Sequence, residues 1–597
     1  MTNREAESSG FARRSWLRAL EATAPIARNP AVTLPTLLAE LADRFGDAPA
    51  LLSERECLSY SALAARANRY ARWGLQQDLA RGEVVCLLMP NRPEYLAIWL
   101  GITRIGGVVA LLNTNLRGPA LAHSVRIVAA KHAIVAAELA GAWRSAAASL
   151  PSDVRVWAHG GASCEWPRVD DAVEALPGDA LQSAESPVPS IADRALCIYT
   201  SGTTGLPKAA NVSHSRVLQW CWWFAGLMDT GPGDRMYNCL PLYHSIGGVV
   251  AVGPVLVRGG SVVIRERFSA SRFWDEVVGW QCTLFQYIGE LCRYLVNSPP
   301  DPRDAEHRLR LCCGNGLRKD VWETFQSRFR IPHILEFYAA TEGNFSLYNC
   351  EGEPGAIGRI PSFLAHRFSI ALVKHDDASE QPIRDAQGRC IRCAPGEAGE
   401  AIGRISDASG AGAPFEGYTD KEASERKVLR DVFEPGDLWF RTGDLMRRDE
   451  RGFFYFVDRI GDTFRWKGEN VSTTEVAEAI CGCPGIVEAV VYGVAVPGTE
   501  GRAGMAAIVV DGAFDLTAFR HSVCARLPDY ARPLFLRIRD AIETTGTFKP
   551  VKRDLAREGC DPQLVTDALY VDDRSRGIFV PLDAALYARL RDGEFRL

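Results

Sequence analysis

Apolar and polar positions along the chain fall into two alternating rhythms. Val84-Val85-Cys86-Leu87-Leu88-Met89 is a continuous apolar run of strand length, ended by Pro90-Asn91. From Pro93 to Thr103 apolar residues recur at helical spacing, and Val108 to Leu112 is again a short apolar run. The same beat returns at 195–200, 249–264 and 487–494. Strands that alternate with helices pack as parallel sheets with helices on their faces. The expected fold class is therefore α/β. Residues 151–192 hold prolines and small residues with weak periodicity, and read as a loop-rich connection.

A boundary is expected near residue 460. Phe453 to Val457 is a strand pattern running into Asp458-Arg459-Ile460-Gly461-Asp462, a charged turn containing glycine. The roughly 135 residues beyond it suffice for a small α+β domain. The expected organisation is a large N-terminal domain, 1–459, with parallel-type sheets and helices, and a small C-terminal domain, 460–597.

Composition narrows the class without naming it. Of 597 residues 47% are hydrophobic and 24% charged, which provides a packed core and excludes wholesale disorder. Lys and Arg number 68 against 73 Asp and Glu, a net charge of −5, so the balance lends nucleic acid no support as a partner. The N-terminus MTNREAESSGFARRSW has acids and no apolar core, unlike a secretory signal, so the 17 cysteines are expected as free thiols. Cys390-x-x-Cys393 has no second pair at zinc-finger spacing. The most apolar stretches, Tyr95 to Leu112 and Ile246 to Val257, are broken by Arg104 and by Pro254. Neither suits a membrane span of about 20 residues. A cytoplasmic protein is expected, with peripheral membrane contact and oligomeric state left open.

The chemistry concentrates at Tyr199-Thr200-Ser201-Gly202-Thr203-Thr204-Gly205-Leu206-Pro207-Lys208. A strand runs into a loop of hydroxyls, glycines and one lysine. Small residues turn backbone N–H groups inward, hydroxyls donate, and the lysine adds a fixed charge, as a phosphate chain requires. It is not a Walker loop: Pro207 precedes the lysine, and Ala209 stands where Ser or Thr would meet Mg²⁺.

This loop resembles the phosphate-binding signature of the adenylate-forming superfamily, which includes acyl-CoA synthetases and luciferases. Tyr338-Ala339-Ala340-Thr341-Glu342-Gly343, Arg441-Thr442-Gly443-Asp444, the hinge-like 458–468 segment and Thr545-Gly546-Thr547-Phe548-Lys549 follow in the family's order. Asn113 to Arg117, Cys313 to Arg318, Thr341 to Asn344 and Gly461 to Val476 are similar to the fatty acid transport protein and very-long-chain acyl-CoA synthetase group. The likeness runs from about residue 50 to the end.

The resemblance implies ATP, Mg²⁺, CoA and a fatty acid as reactants. Thr200, Ser201, Gly202, Thr203, Thr204, Gly205 and Lys208 would hold the phosphates, Glu342 the Mg²⁺, and Thr341 the α-phosphate. Tyr338, beside Ala339 where many relatives carry glycine, would face adenine, and Gly314-Asn315-Gly316 would close over the ring edge. Asp444 with Arg459 would take the ribose. His244 matches the acyl-pocket gate, although a core histidine is the alternative. The run from Trp220 to Leu227 reads as acyl tunnel, membrane contact or, more simply, a packed helix.

The implied reaction has two halves. A fatty carboxylate attacks the α-phosphate to give acyl-adenylate and pyrophosphate, and then the CoA thiol displaces AMP. Lys549, on a C-terminal domain that swings between the steps, would serve the first half. Gly468 would admit pantetheine in the second. The alternatives are a fatty acyl-AMP ligase or another carboxylate–CoA ligase. A permease would need spanning helices.

Overall fold

The apolar run at 84–89 forms the strand Val84–Leu88, buried at every position. The helical pattern after it forms Pro93–Arg104, and the next run forms Val108–Leu111. The computed structural model describes residues 3–161, 165–182, 184–185, 188–200, 206–376, 379–406, 414–466, 469–496, 501–545, 550–592 and 594–595. It divides into two compact units, Met1–Ala365 with Ala408–Val428, and His366–Asp407 with Leu429–Leu597.

The first unit holds two sheets. One has six strands in the order Arg155–His159, His132–Ala136, Val84–Leu88, Val108–Leu111, Arg194–Thr200 and Lys208–Ser213. All its pairs are parallel except the last, an antiparallel hairpin in which Thr200 stands opposite Lys208. The other has eight, in the order Ser346–Asn349, His333–Ala339, Leu311–Asn315, Leu284–Ile288, Arg235–Asn238, Ser261–Ile264, Pro49–Leu52 and Cys57–Ser59. Its interior pairs are parallel and its two edge strands antiparallel. This is the α/β class expected. Parallel strands need crossovers, and the helices that make them bury both sheet faces.

The second unit has two further cores. Ile370–Val373, Ala398–Arg404, Leu438–Arg448 and Phe453–Arg459 pair antiparallel around Ile402, Val432 and Trp439. Beyond them a mixed sheet orders Ile486–Ala495, Arg502–Val510, Phe535–Arg539, Ala568–Asp573 and Ile578–Pro581. The helices Thr473–Cys481 and Leu516–Arg526 pack on it. The turn at 458–462 lies within this second unit, between its two larger sheets.

One local expectation needs correction. The 151–192 stretch contains the strand Arg155–His159 and the helix Val169–Glu174. The strand was hard to read because it lies at a sheet edge and keeps only Ala158 buried. The apolar 249–264 run holds a π-helical turn, Ile246–Val250, and a short helix, Gly253–Leu256, before its strand begins at Ser261. The Trp220–Leu227 run lies in the helix His214–Met228, with Cys221, Phe224 and Leu227 buried. The N-terminal helix Asn3–Thr23 packs on it, Trp16 lying edge-on to Trp223 at 5.7 Å. Of the three readings of this run, the packed helix describes what the chain does.

Candidate active site

The hairpin of Arg194–Thr200 and Lys208–Ser213 places the ends of the hydroxyl-rich loop side by side. Ser201 to Gly205 lie outside the described residues. A third segment extends the sheet on the far side of Lys208–Ser213. The amide of Asn211 donates to the Gly417 carbonyl at 2.9 Å, and that of Thr419 to Ala209 at 2.9 Å. Tyr418 is thereby paired with Ala210, two residues from Lys208 on the same strand face.

This pairing builds the centre of the site. Lys208 Nζ lies 5.5 Å from the centroid of the Tyr418 ring, a cation–π approach. Tyr418 Oη donates to Glu342 Oε1 at 2.6 Å, and both residues are buried. Burial, then the Glu342 charge, raise the Tyr418 pKa well above the usual phenol range, so the phenol remains a donor. Burial lowers the Lys208 pKa, as do Arg426 and Lys427.

Arg216 holds the turn that carries Glu342. Its Nη1 donates to the carbonyls of Thr341 at 2.7 Å and Gly343 at 2.9 Å, straddling the glutamate. Its Nε lies 3.3 Å from Glu416 Oε1, and Glu416 also accepts from the Ser213 amide and hydroxyl, each at 2.7 Å. Ser245 Oγ, next to His244, is 3.1 Å from Thr341 Oγ1. His244 is half-buried, its ring 4.6 Å from that of Tyr243. It therefore sits one residue from a direct contact with the Thr341 turn.

Tyr338 and Gly314–Gly316 share neighbouring strand ends, because Gly314 is in register with Glu336. Tyr338 is half-buried against Phe345, ring centroids 5.6 Å apart, and Ala339 is exposed at the strand end. Gly316 has φ +75°, which lets the chain turn back over the strand. In the second unit Asp444 pairs in register with Arg459, and Arg459 Nε lies 3.6 Å from Asp444 Oδ1. Gly468 and Lys549 lie outside the described residues.

Three residues of this arrangement were not read from sequence: Tyr418, Arg216 and Glu416. Arg216 did leave a trace, as an arginine in the first turn of a mostly apolar helix. Tyr418 left none, for a tyrosine after glycine in a loop is ordinary.

The donor chemistry fits a hard cation. Glu342 offers carboxylate oxygens beside the Thr341 hydroxyl, and no group of three or more His, Cys, Asp or Glu side chains arranged to hold a metal ion is present among the described residues. Mg²⁺ commonly binds this way, through one or two carboxylates with substrate phosphates and water. Cys390 is buried in the small core of the second unit, and Cys393 Sγ donates to the Ala398 carbonyl at 3.6 Å.

A lysine at the start of a strand hairpin, held over a tyrosine that also binds a buried carboxylate, is an arrangement suited to a nucleotide-dependent ligase. The chain belongs to the AMP-binding, adenylate-forming enzyme family: it matches the AMP-binding enzyme over residues 38–400 and the AMP-binding enzyme C-terminal domain over 475–549. It is 41% identical over 573 residues to long-chain fatty acid transport protein 1 of Mus musculus, covering 95% of this chain and 88% of that one. With long-chain fatty acid transport protein 2 of Rattus norvegicus the identity is 39% over 584 residues, covering 96% and 92%. ATP-bound MatB from Rhodopseudomonas palustris shares the fold, with TM-score 0.71 at 24% identity over 88% of this chain and 99% of that one. No described helix is long and apolar enough to cross a membrane.

Proposed function

We propose that this protein is a long-chain or very-long-chain fatty acid–CoA ligase, converting ATP, fatty acid and CoA to acyl-CoA, AMP and diphosphate through an acyl-adenylate. The observation that carries the reading is the meeting of Lys208 and Glu342 on one Tyr418 side chain. A fixed cation and a hard carboxylate, held by a shared neutral phenol, suit a triphosphate on which charge shifts during reaction. The likeness to long-chain fatty acid transport proteins supports a fatty acid as the carboxylate.

In this mechanism Thr200 to Lys208 bind the phosphates, and Lys208 offsets the charge that moves toward pyrophosphate. Glu342 would hold Mg²⁺, which supplies charge neutralisation on the phosphate oxygens, and the Thr341 hydroxyl donates to the α-phosphate. Arg216 keeps their turn in place. Tyr338 and Gly314–Gly316 orient the adenine, and Asp444 accepts from the ribose hydroxyls with Arg459 beside it. His244 gates the acyl pocket. Lys549 serves adenylation, and the loop at Gly468 admits the CoA thiol for the second half-reaction.

The domain boundary is proposed at 459/460. Support comes from the turn itself: Asp458 accepts from Thr473 N at 2.5 Å and Thr473 Oγ1 at 2.9 Å, pinning the next helix to the strand end. Gly461, just beyond, has φ +89°. The test is AMP, diphosphate and acyl-CoA formation with palmitate, with and without CoA. CoA-dependent acyl-CoA is expected, and adenylate accumulation with no thioester would instead favour an acyl-AMP ligase.

A further inference from the structure

One buried acid lies behind the adenine wall without entering the reaction. Glu336 is 1% exposed on the strand His333–Ala339, two residues before Tyr338 and on the same strand face. Its Oε1 accepts from the Leu317 amide at 3.1 Å, and its Oε2 accepts from Tyr287 Oη at 2.5 Å. Leu317 immediately follows Gly314–Gly316, and Tyr287 belongs to the next strand, Leu284–Ile288, in register with Gly314. One carboxyl therefore spans three strand ends.

Those ends have no slack. A Cβ at Gly314 would fall 2.2 Å from the Tyr287 carbonyl oxygen, and one at Gly289 would fall 1.8 Å from the Gly316 carbonyl oxygen. A turn packed this closely on backbone keeps its height only while its anchoring hydrogen bonds persist. Without Glu336, the Leu317 amide and the Tyr287 hydroxyl would be buried donors lacking this acceptor.

We propose that Glu336 is a positioning residue for the nucleotide base: it locks the Gly314–Leu317 turn to the strand that carries Tyr338, so that both walls of the adenine slot move as one body. This rests on reading Gly314–Gly316 and Tyr338 as that slot. The acid does not touch the nucleotide and takes no part in bond making.

Its protonation state supports the role. Burial pushes the Glu336 pKa up to about 8, opposed by the Tyr287 hydroxyl and the Leu317 and Gly316 amides. The titratable groups facing it are Tyr287, Cys292 and Cys313, each driven up by burial and so neutral near pH 7. Asn349, opposite it on the neighbouring strand, spends its amide on the Glu353 and Ala356 carbonyls. Near pH 7 the group is thus mostly a neutral acid: its carbonyl oxygen still accepts from the Leu317 amide, while its protonated oxygen donates to Tyr287 Oη, and a glutamine amide reproduces that pair of roles. Above pH 8 it ionises and places a negative charge behind the slot for a base that carries a triphosphate.

The test measures KM for ATP, KM for palmitate and kcat from diphosphate release on the full chain between pH 6.5 and 9. Glu336→Ala is expected to raise KM for ATP about tenfold and leave KM for palmitate within twofold, since two buried donors lose their acceptor. Glu336→Gln is expected to restore ATP affinity at pH 7. The unmodified protein is expected to raise its KM for ATP from pH 7 to 9, and Glu336→Gln should abolish that rise. If Glu336→Ala does not fold, Tyr287→Phe substitutes, with a smaller rise in KM for ATP alone. An unchanged KM for ATP, or equal rises for ATP and palmitate, would overturn the proposal. Tyr338→Ala separates this from the slot itself. If Tyr338→Ala also leaves ATP unaffected, the reading of the slot is wrong; if it weakens ATP while the Glu336 variants do not, only the positioning role fails.

Discussion

Tyr418 Oη donates to Glu342 Oε1 at 2.6 Å while the same ring receives the Lys208 ammonium 5.5 Å from its centroid. Two charges of opposite sign are thus held apart by a neutral side chain that contacts both. Direct pairing of lysine with glutamate would neutralise each and leave neither available to a substrate. The phenol prevents that collapse and fixes one carboxylate oxygen.

Removing only the hydroxyl tests this. Tyr418→Phe keeps the ring under Lys208, so adenylation is expected to fall about tenfold, the scale of one hydrogen bond to a charged group. The midpoint for Mg²⁺ activation should shift upward with it. Diphosphate release titrated with MgCl₂ measures both, and an unaltered midpoint would show that the contact is only structural.

Glu342→Gln removes the charge and keeps the shape. Adenylation is expected to drop by roughly 10² or more, because an electrostatic contact to the reacting phosphates is lost. Thioester formation from supplied acyl-adenylate and CoA should change far less.

Lys549→Ala and Gly468→Pro are expected to separate the two half-reactions. The lysine variant should lose adenylation by roughly 10²–10³ while still consuming supplied acyl-adenylate with CoA. The proline variant should do the reverse. Equal loss of both halves in both variants would leave the two-state mechanism without support.

Chain length should be read as free energy. Each methylene buried in an apolar tunnel contributes about 0.8 kcal/mol, so the apparent affinity should rise about fourfold per carbon until the tunnel ends. Competition among C8 to C20 acids in a diphosphate-release assay gives the break point. Acetate or benzoate outcompeting dodecanoate would refute a fatty-acid site.

Stability should fall in mild acid through His214. This side chain is 1% exposed, and burial lowers its pKa to about 4. An unfolded histidine binds its proton near 6.5, so between pH 6.5 and 4 the unfolded state holds more protons and stability rises with pH. The loss relative to neutral pH is about 2 kcal/mol at pH 5. Urea midpoints at pH 7 and 5 for the unmodified protein and His214→Gln isolate this term, because the other acids are common to both.

The contiguous signals were legible. The βαβ rhythm came through because strands covered on both faces must be apolar at successive positions, as Val84 to Leu88 are. The hydroxyl-rich 200–208 segment and the Tyr338–Glu342 turn stood out because each packs its polar chemistry into a few consecutive residues. The 151–192 strand and the π-helical turn at Ile246–Val250 escaped, the first half-exposed at an edge, the second as apolar as any strand.

Sequence alone thus determined the fold class and the family, since both are written in local pattern, and it nominated the reacting groups. Tertiary structure decided which ordinary residues serve them. Tyr418 reaches Glu342 only because 417–419 pairs onto the Lys208–Ser213 strand, and Arg216 reaches the Thr341 turn only because its helix begins where that strand ends. Glu336 meets Leu317 and Tyr287 only where three parallel strands end together. The grouping of 366–407 with 429–597 likewise follows from Ala398–Arg404 pairing with Leu438–Arg448 across an intervening segment that folds with the first unit. A single tyrosine, arginine or glutamate carries no mark of its partner, because the partner is supplied by strand register and burial, and those exist only once the distant segments have met.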